Sequence, residues 1–199
     1  MDSHLQTTTT LLEGLLDTRN DTVWREFAER YQPVILGIAR RLGLDDQDAA
    51  DAAQETLIRF LQEYRAGKYD REKGRLGAWI TSMARFRVAD SWRAKARDRK
   101  ARGDSVFDFV PSDDELERLW DEECRREIIR KAMQRLSDNT NLNEQTIALF
   151  RGLTLEQKRP TQVAQEHGVS IDVVYKSKQR CLAQLRTIID ELNAAYELD

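Results

Sequence analysis

Helical periodicity runs along nearly the whole chain and is the feature that most limits how it can fold. Apolar residues recur at spacings of three and four, while the strict alternation typical of strands is scarce. Only three prolines and nine glycines interrupt the 199 residues. The clearest case is a segment that begins near Arg75, in which one side of a helical wheel collects Leu76, Ile80, Met83, Ala84 and Val88. The sequence therefore predicts an all-α fold.

A break in this periodicity divides the chain. Residues 103–114 have no helical period, and their Gly, Pro, Ser and Asp content is typical of a linker. Helical spacing resumes at Leu116 and runs through Cys124 to Leu136, so Cys124 is expected to be a small buried residue. We predict two small helical domains, 1–102 and 116–199, joined by a flexible acidic linker at 103–115.

Charge is strongly segregated although the formal net charge is only −3. Residues 71–102 hold eleven Lys and Arg against three acids, whereas residues 104–123 hold nine acids and one base. A basic block followed directly by an acidic one indicates an interaction surface followed by a linker or tail. The alternative is two solvated helix faces of opposite sign.

Several classes of protein are disfavoured by composition. No apolar run approaches the roughly 20 residues that cross a bilayer, and acid rather than base precedes the first apolar stretch, which argues against a secretory signal. Two cysteines and two histidines are too few for a disulfide framework or a four-ligand zinc site. We expect a cytoplasmic, non-enzymatic protein without a metal or cofactor and without membrane insertion.

The last fifty residues contain the spacing of a helix-turn-helix. Ala164 permits close helix contact, Gly168 four residues later permits a sharp turn, and Val174 anchors a second helix that Ser170 can cap. That helix offers groups able to reach phosphates and base edges, namely Asp172, Tyr175, Lys176, Lys178, Gln179 and Arg180. The pattern predicts a reader of duplex DNA, and an ordinary helical hairpin with a basic surface is the alternative.

The long helix after Arg75 carries a second basic face opposite its apolar side. This face interleaves cations with aromatic rings, namely Arg85, Phe86, Trp92, Arg93, Arg97 and Lys100. Such a face suits single-stranded nucleic acid, because bases stack on rings while cations follow the phosphates. Trp79 lies at the border, where a half-buried core position and a role beside DNA are both open.

The preceding helix presents carboxylates. Asp48, Asp51 and Glu55 share one side, with Gln54 adjacent. Carboxylates on one face could serve acid–base chemistry, but no metal ligands, phosphate loop or histidine accompany them. A docking face for a basic protein partner is therefore the preferred interpretation.

Together these segments resemble the extracytoplasmic-function group of bacterial RNA polymerase sigma factors. The resemblance rests on residues 48–64, on residues 74–93 and on the carboxy-terminal helix-turn-helix, and it spans about residues 20–190 in the family's order. It implies a sigma domain two and a sigma domain four. Such a protein binds core RNA polymerase, directs it to promoters and helps to melt the DNA.

The resemblance also implies roles for individual residues. Asp48, Asp51, Gln54 and Glu55 match the helix that docks on the clamp helices of the β′ subunit. The helix that melts and reads the minus-ten element is matched by Trp79, Arg85, Asp90 and Arg93, with Phe86 where the family commonly has Asn; Trp92 and Arg97 lie on the same face. Residues 106–113 would enter the active-site cleft.

The remaining implications concern the second domain and the partners. Ser170 and the exposed groups of the helix after it would read the minus-thirty-five element. The partners implied are core RNA polymerase through its β′ and β subunits, promoter DNA as duplex and as melted single strand, and an anti-sigma factor as a further partner. No cofactor is implied.

Two other functions fit parts of the sequence. A dimeric transcription regulator with an all-helical sensor domain would also carry a helix-turn-helix, but it would have no reason to carry both the 48–55 and the 85–93 patterns. A helical enzyme using the acidic helix lacks any supporting constellation.

Overall fold

The described part of the chain is entirely helical. The computed structural model describes residues 8–100, 111–138 and 142–196, and for residues 94–100 it describes the backbone only. Within these ranges there is no strand, which confirms the all-α prediction. The helices are α1 (Thr8–Gly14), α2 (Asp21–Arg41), α3 (Asp46–Arg65), α4 (Leu76–Lys100), α5 (Asp113–Asp138), α6 (Glu144–Thr154), α7 (Pro160–Glu166) and α8 (Ile171–Tyr196). None of these helices is both long and apolar enough to cross a membrane.

The boundary between the two compact units lies inside α5. One unit comprises residues 8–127, and the other runs from residue 128 to the carboxy-terminal end. The sequence instead placed residues 116–127 in the second domain. The difference arises because the first half of α5 packs on α2 and α4, as its contacts below show. Most of the predicted linker, residues 103–110, lies outside the described residues, as do residues 101–102 of the predicted first domain.

α5 begins at Asp113, two residues before the predicted end of the linker. A reciprocal cap explains this start. The Glu115 carboxylate accepts hydrogen bonds from the backbone N–H of Ser112 at 2.8 Å and from its hydroxyl at 3.0 Å, while the Glu115 backbone N–H donates to the Ser112 hydroxyl at 3.3 Å. This Ser-x-x-Glu pattern is a capping box. Asp113 to Glu115 are therefore the first turn of a helix and not linker.

A row of aromatic rings forms the core of the 8–127 unit. Phe27 of α2 stacks on Phe60 of α3 with ring centroids 4.6 Å apart, and Phe60 meets the edge of Trp79 at 5.4 Å. On the other side, Tyr31 stacks on Trp120 of α5 at 5.6 Å. The row joins four helices, so α3 and α4 are held at fixed positions.

Two glycines create the seat on which α5 lies. A Cβ built at Gly77 would lie 2.5 Å from Nε1 of the Trp120 indole, and one at Gly37 would overlap the carboxylate of Glu123. Trp120 and Glu123 are both buried. A Cβ at Gly77 would require the buried Trp120 ring to move, so glycine at this position lets α5 approach α4 this closely.

Gly77→Ala should destabilise the protein, because a buried, rigid indole has no room to move away from the added methyl. Overpacking of this kind costs about 1–3 kcal/mol, of which the higher helix propensity of Ala returns up to about 1 kcal/mol. Denaturant unfolding measures the difference. Gly74→Ala is the matched control, because a Cβ there meets nothing within 4 Å. Equal stability of the two variants would show that α5 is not seated on Gly77.

The second unit is built around α6, α7 and α8. Asn143 caps α6, its side chain accepting from the Thr146 backbone N–H at 2.7 Å. A cluster of buried side chains then joins the three helices, namely Leu149, Val163, Ala164 and Val174. This cluster fixes the angle at which α7 and α8 meet.

Candidate nucleic-acid interface

The four predicted docking residues lie together on α3. Asp45 caps the helix by accepting from the Asp48 backbone N–H at 3.0 Å, and the side chains of Asp51, Gln54 and Glu55 are exposed. Asp48 is partly buried. We call these four residues, Asp48, Asp51, Gln54 and Glu55, the acidic face.

Two residues of α4 contact the acidic face, which the sequence analysis missed. The Ser91 hydroxyl donates to Asp48 at 3.0 Å, and Arg87 forms an ion pair with Glu55 at 3.3 Å. The sequence does indicate that Arg87 and Ser91 share one side of α4, because they are four residues apart. It does not indicate that this side faces the acidic face of α3, since that depends on tertiary packing. The acidic face is thus anchored to α4 at both ends, with Asp51 and Gln54 exposed between.

The exposed side of α4 carries the predicted aromatic and cationic groups. Phe86 is 52% exposed, and the guanidinium of Arg85 lies 5.8 Å from its ring centroid. Arg93 pairs with Asp90 at 2.7 Å, and Trp92 is half-buried. The side chains of Arg97 and Lys100 lie outside the described residues. A large exposed ring beside guanidinium groups can stack on a base and bind phosphate.

Part of this basic surface is paired with the acidic residues of α5. Arg85 donates to Asp113 at 2.7 Å, and Arg75 pairs with Glu117 at 2.9 Å and Asp121 at 3.4 Å. The basic and acidic blocks seen in the sequence therefore meet within the 8–127 unit. Asp113 therefore competes with a phosphate for part of the Arg85 guanidinium.

Trp79 lines a pocket together with the loop between α3 and α4. Its ring stacks on Tyr69 of this loop with centroids 5.0 Å apart. The pocket has a volume of about 330 Å³. Its lining consists of two rings, three cations and small or polar groups, namely Lys68, Tyr69, Asp70, Lys73, Gly74, Arg75, Ala78, Trp79 and Ser82.

Sequence reasoning missed Tyr69 and this pocket. The available signal was an aromatic residue among lysines between Gly67 and Gly74. At the pocket, a hydrogen bond from Lys73 holds the pKa of Asp70 below its usual range, so this carboxylate stays ionised and paired with a cation. Trp79 is half-buried, so it packs on the core and also lines a pocket.

In the second unit, α7 and α8 meet at a tight turn. Gly168 has φ +63°, a conformation that disfavours residues with a Cβ, while Ala164 and Val174 are buried on either side of it. The Ser170 hydroxyl accepts from the Val173 backbone N–H at 3.4 Å at the start of α8. The predicted turn and the two anchoring residues are thus present.

The predicted contact residues of α8 lie on its solvent side. Val174, Ser177 and Cys181 face the core. On the opposite side the exposed groups are Asp172, Tyr175, Lys176, Gln179 and Arg180, with Lys178 half-buried at the border. This surface combines three cations, one carboxylate, one amide and one phenol. It has the groups needed for both phosphate and base-edge contacts.

The described residues contain no cluster of three or more His, Cys, Asp or Glu side chains able to hold a metal ion. Cys124 is buried at 1% exposure, as its position on the apolar stripe predicted, and burial raises the pKa of its thiol far above the usual range. A thiol held protonated in this way is a poor nucleophile.

The arrangement of the 8–127 unit, a basic aromatic helix face beside an acidic helix, is typical of a helical nucleic-acid-binding protein with a protein partner. Residues 27–98, about a third of the chain, match the family model described as Sigma-70 region 2. This segment contains α3, the pocket and most of α4. No curated protein matches the chain significantly.

The chain therefore contains a sigma-70 region 2 domain, and this domain supports its assignment to the sigma-70 family. This family supplies transcription initiation factors, which bind core RNA polymerase and promoter DNA. The family match does not extend to α5–α8, so the role of the second unit is argued from its own residues.

Proposed function

We propose that the chain is a sigma factor of the extracytoplasmic-function group. Its 8–127 unit docks on core polymerase and opens the minus-ten element, and its second unit reads the minus-thirty-five element. The observation that carries the proposal is the combination of a sigma-70 region 2 domain with a second helical unit that presents α8 through a tight turn.

Docking is assigned to the acidic face on α3. Asp51 and Gln54 are exposed, and Asp48 and Glu55 are held in place by Ser91 and Arg87. Carboxylates oriented in advance lose little side-chain entropy on binding, and they complement a basic partner surface. This supports the β′ clamp helices as the partner.

Opening of the duplex is assigned to the exposed side of α4 and to the pocket. Phe86 offers an exposed ring, and the Tyr69–Trp79 pair offers a second one within a pocket large enough for a nucleobase. A base that has left the duplex recovers stacking energy on such rings, at about 1–3 kcal/mol per base. Phe86 stands where the family commonly has Asn, and its ring can contact a base by stacking.

Recognition of the upstream element is assigned to α8. Tyr175, Lys176, Gln179 and Arg180 are exposed on one side of a helix whose amino terminus follows a tight turn. Helices of this kind place their first turns against base edges in the major groove. Lys178, at the border with the core, is placed to reach a phosphate.

Footprinting with and without core RNA polymerase tests the proposal. The protein alone should protect promoter DNA poorly, because α8 makes few contacts and Arg85 is paired with Asp113. With core polymerase the two units act together, and the second contact gains from effective concentration. The complex should protect two separate segments and make thymines near the start site reactive to permanganate.

A different footprint would contradict the proposal. A strong, symmetric footprint of the protein alone over a palindrome would identify a dimeric regulator instead. Failure of the chain to copurify with core polymerase would remove the sigma-factor assignment altogether.

A further inference from the structure

The exposed apolar side chains of α8 are concentrated at its start. Ile171 and Val173 are each 40% exposed and Tyr175 is 47% exposed, and from Lys176 to Tyr196 no other large apolar side chain of this fully described helix is exposed. On a helical wheel of about 100° per residue, Val173 lies on one border of α8, whereas Ile171 and Tyr175 lie on the other, so Val173 is a separate exposed apolar group. The start of the helix, where Val173 lies, is where a recognition helix meets base edges.

The charge beside Val173 disfavours a phosphate contact for the first turn. Asp172 lies between Ile171 and Val173 and is exposed, so it would repel the DNA backbone. A carboxylate is compatible with a base edge, where it can accept from the N4 amino group of cytosine. This favours base edges, and not the phosphate backbone, as the contact of the first turn of α8.

Val173 has the neighbours that hold an apolar side chain against the major groove. Lys176 and Arg180 follow it at three and seven residues, so the three lie on one side of α8, and both cations are exposed. The Val173 backbone N–H is already bonded to Ser170, at 3.4 Å to the hydroxyl and 3.0 Å to the carbonyl, so only its isopropyl group is offered. The apolar group that a major groove presents is the 5-methyl of thymine.

We infer that Val173 is a specificity-determining residue that packs on a thymine methyl in the upstream promoter element. The inference rests on the proposed function, because it places α8 in the major groove. Lys176 and Arg180 supply the neighbouring polar contacts, and the exposed Asp172 favours a cytosine beside this thymine.

Replacement of thymine by deoxyuridine tests the inference, since it removes the methyl group and nothing else. The upstream element is first defined by selecting from a random duplex library with the holoenzyme reconstituted from the full-length chain and core polymerase. Each thymine in the protected element is then replaced singly. At one position the wild-type holoenzyme should lose about fourfold in affinity, which corresponds to one buried methyl group.

Two protein variants test whether Val173 is the side chain responsible for this fourfold loss of affinity. Val173→Ala holoenzyme should bind thymine and uracil duplexes equally, because the partner of the methyl is gone. Ile171→Ala is the matched control: it has the same exposure on the other border of α8 and should keep the fourfold discrimination. Both positions are exposed, so thermal unfolding should show little change in either variant.

The outcomes separate this inference from the proposed function. Protection of an upstream element that is insensitive to uracil at every thymine would overturn the role of Val173 and leave the sigma-factor assignment intact. That role is also overturned if Val173→Ala retains the discrimination or if Ile171→Ala abolishes it. Absence of any protected upstream element would remove the proposed function of α8, and this inference with it.

Discussion

Charge reversal on the acidic face, Asp48→Lys combined with Asp51→Lys, should abolish binding to core RNA polymerase. Like charges brought together at a complementary interface cost several kcal/mol each, which is at least a hundredfold in affinity for the pair. Asp51 contributes most directly, because it is exposed and has only long contacts of 3.4 Å with Gln47 on its own helix. A pull-down with core polymerase measures the loss.

Matched variants separate docking from folding. Asp46→Lys makes one such charge reversal on the same helix, but Asp46 lies on the far side of α3, paired with Arg40, and should leave binding intact. Asp48→Asn with Asp51→Asn keeps an oxygen able to accept from Ser91 while removing both charges, and should weaken binding by an intermediate amount. Wild-type binding by the charge-reversed variant would disprove the docking assignment.

The local features of the protein were predictable because they follow from short-range rules. The buried side of α4, with Ile80, Met83 and Val88, appears where the helical wheel placed it. Gly168 adopts the left-handed conformation that the helix-turn-helix spacing requires, and Val174 is fully buried. In each case the periodicity of one helix, or the geometry of one turn, decides the outcome.

The position of α5 was not predictable by such rules. Periodicity shows that Leu116, Trp120 and Cys124 face a core, but it does not say which core. The sequence assigned these residues to the second domain, whereas Trp120 stacks on Tyr31 and its indole lies over Gly77. The acidic block was interpreted as a linker or tail, and it is paired in part with Arg75, Arg85 and Arg41 of the same chain.

The pocket was missed for a related reason. Tyr69 belongs to a loop with no period, and its contact with Trp79 joins two elements through the tertiary fold. The core position left open for Trp79 is confirmed in part, because its ring is half-buried, whereas its role beside DNA stays a prediction. The same ring meets Phe60 at its edge and lines the pocket.

Removal of this ring by Trp79→Ala should impair transcription from closed duplex by roughly 5- to 150-fold, the range set by the stacking of one base. Transcription from a template with a pre-melted bubble should be affected much less. A mismatched bubble removes the unstacking and unpairing cost, which the captured base otherwise has to offset. The ratio of initiation rates on the two templates, measured with reconstituted holoenzyme, reports the effect.

The loss of packing around Trp79 needs its own control. Trp24 is also half-buried and stacks on Phe27 in the same unit, at 6.3 Å, but it lies on α2 and does not line the pocket. Trp24→Ala should reduce stability while lowering transcription equally on both templates. Trp79→Phe should restore much of the activity on duplex, because a ring remains to stack against Tyr69. If Trp79→Ala instead reduced both templates equally, its ring would act only in folding or core binding, and capture of the base would have to rest on Phe86 alone.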